Sequence, residues 1–408
     1  MLGFLTFKNR YYASIVITNL WGLIILLLNF IDYKSKLLSL IGYTIYFIAT
    51  YLLIKALWNN HSRINLFTRL FLVWLSYMIL SSIPILFNNY RNYLYLKQFI
   101  SGGFFLYLIP FLMVARLNIN FYKLLLNFSY RLIFIYLVTN IFLFFYFIQD
   151  IKNGGESLTF LMAGAAPLVM TLPYHSKKHR TIIIISLLLL LFQMMIIGRR
   201  NVVVYFGSVL FLSIFVSVFS KQSLHINKKS YYIKLAISIL FTFILVFSIF
   251  SKSFEFFFDR VQSGMSSRKD IIELFILDFN TKPADWILGR GIFGQFEGGI
   301  LATDEDTGLR DLIENGYLFL ILKGGGIYLV LLFIISVNAM YKGFFKSRNT
   351  FVKGFAAIIL IYYIDMIGYG IPFISLKYIL VFIAIAACNT PWLREQTDEV
   401  LSKEIGLK

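Results

Sequence analysis

Residues 251–316 read SKSFEFFFDRVQSGMSSRKDIIELFILDFNTKPADWILGRGIFGQFEGGILATDEDTGLRDLIENG, the one long polar interval in the chain. Of the 20 acidic residues, 12 fall here, accompanied by seven basic ones: Lys252, Arg260, Arg268, Lys269, Lys282, Arg290 and Arg310. On both sides the sequence is a succession of hydrophobic runs about as long as a bilayer is thick. Chemistry on a polar substrate needs convergent charge, so this interval is the candidate site and the runs are its scaffold.

The composition excludes a soluble domain. Of 408 residues, 59% are hydrophobic and 14% charged, where soluble domains carry roughly a quarter charged residues. The 44 Phe and 26 Tyr suit side chains facing lipid and its interfaces. The class is an all-α, polytopic transmembrane helical bundle. The net charge of +18 belongs to loops on one membrane face; nucleic-acid binding would need a basic face on a soluble fold. The lone Cys388 allows neither an internal disulfide nor a cysteine metal site, and no metal or cofactor is expected. Lys8 and Arg10 precede an apolar run too long for a signal-peptide core, which reads as an uncleaved first span.

With about 20 apolar residues per crossing, spans fall at 11–31, 37–57, 64–87, 94–114, 124–148, 157–174, 181–197, 201–219, 231–250, 313–337, 351–370 and 372–389. The organisation is then a bundle of nine spans over 1–250, an extracytoplasmic loop over 251–312, three more spans over 313–390 and a short, frayed cytoplasmic tail over 391–408. No internal repeat supports a transporter built of homologous halves. Placing the N-terminus inside puts 14 Lys and Arg in inner short loops and six in outer ones, so both termini are cytoplasmic and the polar interval lies outside.

Within that interval, 269–279 has helical spacing. Ile271, Leu274 and Phe275 share one side, Asp270 and Glu273 the other, as expected of a helix lying on the membrane surface. Gly289, Gly291, Gly294, Gly298 and Gly299 make Gly289–Gly308 a loop whose N–H groups can approach an anion.

The candidate chemistry begins with Arg199 and Arg200 at an outer mouth, followed by Arg260, Arg268, Arg290 and Arg310. Arginine forks bind pyrophosphate or carboxylate bidentately, although a single outer arginine commonly reaches for lipid phosphate. Asp304–Glu305–Asp306 matches a cation-binding D-x-D pattern or a solvated acidic run. Asp311 and Glu314 stand where the chain re-enters the membrane, where a carboxylate can take a proton from a sugar hydroxyl. His61, His175, His179 and His225 fall in inner loops, leaving an external mechanism without a histidine. Asp365, Lys323 and Lys377 lie within spans, each costing about 2.5–3.5 kcal/mol at a helix centre; Asp365 and Lys377 flank one bend and can pair. Gly324–Gly325–Gly326 lets another helix approach closely.

The G-R-R-N at 198–201, S-S-R-K-D at 266–270, L-G-R-G-I-F-G at 288–294 and E-N-G-Y-L-F-L-I-L-K-G-G-G at 314–326, in a chain of about twelve spans, resemble the bacterial O-antigen polymerase and O-antigen ligase superfamily. The resemblance covers Gly198 to Leu332. It implies sugar transfer at the outer face of the cytoplasmic membrane between undecaprenyl-diphosphate-linked glycans, without nucleotide or obligatory metal, alongside membrane lipids and a chain-length regulator. It maps diphosphate binding onto Arg199 or Arg200, Arg268 and Arg290. Glu314, or else Asp311, is the candidate base; Arg260, Asn315 and Asp365 complete the set. Ligases of the superfamily typically carry His where this chain has Glu314, which favours a repeat-unit polymerase over a ligase. A lipid-linked oligosaccharide flippase is the alternative of another class, but it has no need of a roughly 60-residue outer loop, where this chain concentrates its charge.

Overall fold

The computed structural model describes residues 10–30, 36–59, 65–88, 95–96, 98–149, 158–197, 199–219, 269–299, 308–368 and 376–405. The helices are α1 (Arg10–Phe30), α2 (Lys36–Asn59), α3 (Leu66–Asn88), α4 (Ile119–Gln149), α5 (Leu158–Met170), α6 (Lys177–Ile197), α7 (Arg200–Phe219), α8 (269–281), α9 (Ala284–Leu288), α10 (Gly316–Phe345), α11 (Thr350–Gly368), α12 (Leu376–Asn389), α13 (Pro391–Glu395) and α14 (Asp398–Ile405). Residues Gln98–Val114 form π and 3₁₀ turns rather than the regular span expected at 94–114. The expected span at 231–250 lies outside the described residues. Among the described residues, five helical segments are long and apolar enough to cross a membrane: Leu66–Asn88, Ile119–Ile141, Lys177–Ile197, Gly316–Phe345 and Thr350–Gly368. The protein is therefore an all-α membrane-embedded bundle.

At its centre lies α12, buried on every side from Leu376 to Cys388 apart from Lys377. A helix apolar all round belongs inside a bundle, and α12 packs against α10, α11 and the turns at 98–114. Beside it α11 also contacts α7 and α10.

The tenth expected span, 313–337, differs from a continuous helix. Gly325 has φ 74° and ψ 175°, a left-handed φ that glycine adopts without steric cost, and it breaks α10. The break leaves three carbonyls without their helical partners, and three separate elements supply donors. Arg290 N–H reaches Leu322 O at 2.7 Å, Tyr107 Oη reaches Lys323 O at 2.7 Å, and Trp74 Nε1 reaches Gly324 O at 2.8 Å. As the glycine triplet implies, another helix approaches closely: a Cβ on Gly326 would lie 2.9 Å from Trp286 O of α9.

The two halves of α10 fold toward each other. The rings of Tyr317 and Phe333 lie 6.5 and 5.6 Å from that of Tyr363. In an unbroken helix their 16-residue separation would hold them roughly 24 Å apart. The first half thus lies against α11, its N-terminus capped by Asn315, whose Oδ1 accepts from Leu318 N at 3.1 Å.

At the opposite end of α11 the tail is docked rather than frayed. Leu393, Leu401 and Ile405 are fully buried, and Asn349 Nδ2 donates to Leu393 O at 2.7 Å and Gln396 O at 3.0 Å. Asp398 Oδ1 accepts from Thr350 N at 2.7 Å and Tyr174 Oη at 2.5 Å. The physical reason is spacing: Leu401 and Ile405 form an i, i+4 apolar stripe that the polar composition of the tail conceals.

His175, in the turn between α5 and α6, belongs to this end. Burial, reinforced by Arg180, pushes its pKa from 6.5 down to about 3. Hydrogen bonds to a charged carboxylate are worth about 1.5–3 kcal/mol, so Asp398→Ala is expected to lower thermal stability in detergent by about that amount. As pH falls below about 6.5 the unfolded chain takes up a proton that the folded His175 refuses, so stability drops by up to about 1.4 kcal/mol per pH unit. In His175→Gln this slope should flatten in melting curves recorded between roughly pH 6.5 and pH 4.

Candidate functional site

The polar interval builds a small unit on the break in α10. Ile271, Phe275 and Phe279 form the buried stripe of α8, at i, i+4 spacing. They pack on the unit's own residues: Phe275 lies 4.1 Å from Phe279, 5.7 Å from Trp286 and 5.3 Å from Phe296, ring to ring. The apolar face of α8 is thus covered by the aromatic residues of 279–296. Nor is 289–308 wholly irregular: β1 (Phe296–Glu297) pairs antiparallel with β2 (Leu309–Arg310).

Arg290 clamps this unit. Its Nε donates to Asp285 at 2.6 Å, its Nη1 to Asp278 and to Gln295 O at 2.7 Å, and its guanidinium lies 4.5 Å from the Phe279 ring centre. Burial works against the charge, but the two carboxylates hold its pKa above the ordinary arginine value. Next to it Lys323, buried in the first half of α10, donates to Ile292 O at 3.1 Å and Gly294 O at 2.7 Å. Asp311 accepts from Gln98 Nε2 at 3.3 Å. The buried ammonium is therefore the pin that holds the 290–294 turn in the break.

A second group of candidates meets at the other end of the half-helix 316–324, roughly 12 Å away by helical rise. Asn201 Nδ2 donates to Gly368 O at 3.3 Å and Asn315 Nδ2 to Ile367 O at 3.4 Å. These carbonyls belong to adjacent residues at the end of α11. The motif carrying Arg199 and Arg200 and the motif carrying Glu314 and Asn315 are thereby brought to one place. Arg200 opens α7, and Arg199 N–H closes the preceding junction onto Met194 O at 2.9 Å. Gly316 is required here, since a Cβ would lie 2.9 Å from Met366 Cγ. Below, Asp365 and Lys377 do pair, at 2.6 Å, and Lys377 lies 4.0 Å from the Tyr205 ring centre.

The sequence-derived candidates therefore divide. The stretches that carry Arg199, Arg200, Glu314 and Asn315 meet near Asp365 at the end of α11, through Asn201 and Asn315; Arg290 and Asp311 lie at the break. Arg260, Arg268 and Asp304–Glu305–Asp306 lie outside the described residues. His175 and His179 lie at the other end of α11. The reading of residues missed Trp74 and Tyr107, whose only signal is a polar tip on an aromatic ring in an apolar run, and Asn201 and Tyr205, which share a face of α7 at i, i+4. No protein-family profile, no curated protein sequence and no solved structure matches this chain.

Arg290→Gln should release Asp278 and Asp285 and open the unit. Limited proteolysis of intact protein is expected to cut within 282–299 at least tenfold faster than in the wild type, as about 1.5–3 kcal/mol per charged hydrogen bond implies. Trp74→Phe, which strands Gly324 O, should cost about 1–3 kcal/mol in thermal unfolding while leaving the Arg290 clamp closed.

Proposed function

We propose that this protein is a glycosyltransferase of the cytoplasmic membrane that polymerises undecaprenyl-diphosphate-linked oligosaccharide repeat units into O-antigen or capsular polysaccharide. The observation that carries the reading is the joint seating of Asn201 and Asn315 on the last carbonyls of α11. It supports a shared role for two motifs more than a hundred residues apart, each of which resembles the O-antigen polymerase and ligase superfamily. In this reading the twelve-span topology puts that end of α11 at the outer face.

The chemistry is inverting transfer. An acceptor hydroxyl attacks the anomeric carbon of the growing chain, the bond from that carbon to the lipid diphosphate breaks, and the diphosphate departs with the electron pair. Glu314 takes the hydroxyl proton; Asp311, held at the break beside Lys323, is the less favoured base. Arg199, Arg200 and Arg268 stabilise the diphosphate as its charge develops, which is where fixed cations matter most. Arg290, already held by two carboxylates, serves this site by positioning the loop. Neither a metal nor a cofactor is required.

The assay is conversion of purified lipid-linked repeat units to long chains by the protein in vesicles. Glu314→Gln and Arg268→Ala are each expected to lower extension at least tenfold, since about 1.4 kcal/mol is a factor of ten, with partial recovery in Arg268→Lys and no effect of EDTA. Wild-type extension by both variants would sink the assigned roles. Translocation of the lipid-linked glycan without extension would make the protein a flippase, and transfer only to a lipid A core acceptor would make it a ligase.

A further inference from the structure

The five residues of α9 lie against the break in α10, yet two of them turn away from it: Ile287 is 58% exposed and Leu288 45%. Ile287 lines an open apolar groove of 580 Å³ together with Leu70 and Val73 of α3 and Val330 of α10. Val73 and Val330 are themselves 61% and 56% exposed. They belong to helices long and apolar enough to cross a membrane, so these are the sides those helices present to lipid. The exposed edge of α9 continues that surface without interruption.

The polar groups of α9 are accounted for elsewhere. Its one charge, Asp285, is held by Arg290 at 2.6 Å, and Trp286 Nε1 donates to Asn280 Oδ1 at 3.3 Å. Trp74, which also lines the groove, uses its indole N–H on Gly324 O. Both tryptophan rings therefore offer the groove apolar surface only. Leaving such surface in water costs about 25 cal/mol per Å², whereas hydrocarbon covers it without penalty.

We propose that α9 is a wedge inserted in the plane of the bilayer, and that an acyl chain of a membrane phospholipid fills the groove between α3, α9 and α10. The loop unit is on this account partly inside the leaflet rather than above it. The inference requires only that α3 and α10 cross a bilayer, and is independent of the transfer reaction proposed above.

The test uses the full chain in a Cys388→Ser background, reconstituted in vesicles of phosphatidylcholine and phosphatidylglycerol without any polyprenyl lipid. Ile287→Cys and Leu288→Cys are labelled with bimane, with Val73→Cys marking the lipid face and Lys269→Cys, on α8, marking water. Lipids brominated along the acyl chain are expected to quench the Ile287 and Leu288 labels at least twofold more than the Lys269 label, and aqueous iodide to quench them at least twofold less. Iodide quenching of both labels equal to that at Lys269 overturns the wedge. Loss of the bromolipid response at Val73 as well overturns it at its root, the membrane crossing of α3. Measuring two adjacent positions keeps the answer from resting on one variant's folding.

Discussion

A helix can be broken inside a bilayer only if each carbonyl freed by the break finds a donor, because lipid supplies none. That constraint governs the arrangement around Gly325. The donors come from α3, from the turns at 98–114 and from Arg290, so three distant stretches of chain are required to meet at one level of the bundle. Tyr107 reaches Lys323 O from a stretch, 98–114, that is π and 3₁₀ turn rather than regular helix. The 290–294 turn, for its part, needs Lys323 to hold Ile292 O and Gly294 O. The loop and the break each complete the other's hydrogen bonding.

From this follows the position of the candidate site. The folded-back half of α10 carries Asn315 to the end of α11, where Asn201 of α7 is already engaged on the next carbonyl. Helix α11 runs from there to the docked tail, where Asn349 and Asp398 satisfy its first N–H groups. Its two ends are thus fixed by different parts of the chain, and the apolar α12 fills the space alongside.

The sequence made the membrane class, five of the long apolar helices and the Asp365–Lys377 pair legible, because hydropathy and the cost of an intramembrane charge act locally. Gly324–Gly325–Gly326 announced a close approach, but not that α10 would reverse there; nothing in a glycine triplet specifies ψ at its centre. Arg290 was readable as a cation and not as a clamp, because its carboxylate partners Asp278 and Asp285 are distinguished from the other acidic residues only by the fold of α8 and α9. The tail was misread since two buried leucine-like positions, Leu401 and Ile405, are outnumbered by charges that face outward. Composition averages over faces, whereas burial depends on one.

Gly289 and Gly325 touch backbone to backbone: a Cβ on Gly289 would lie 2.9 Å from Gly324 C, and one on Gly325 2.6 Å from Ile287 C. Both residues already have the smallest side chain there is, so neither can shrink to make room for growth in the other. This backbone-to-backbone joint therefore has no compensating pair of substitutions. In an alignment of relatives it would stand as two constant columns without covariation, invisible to any method that infers proximity from correlated change.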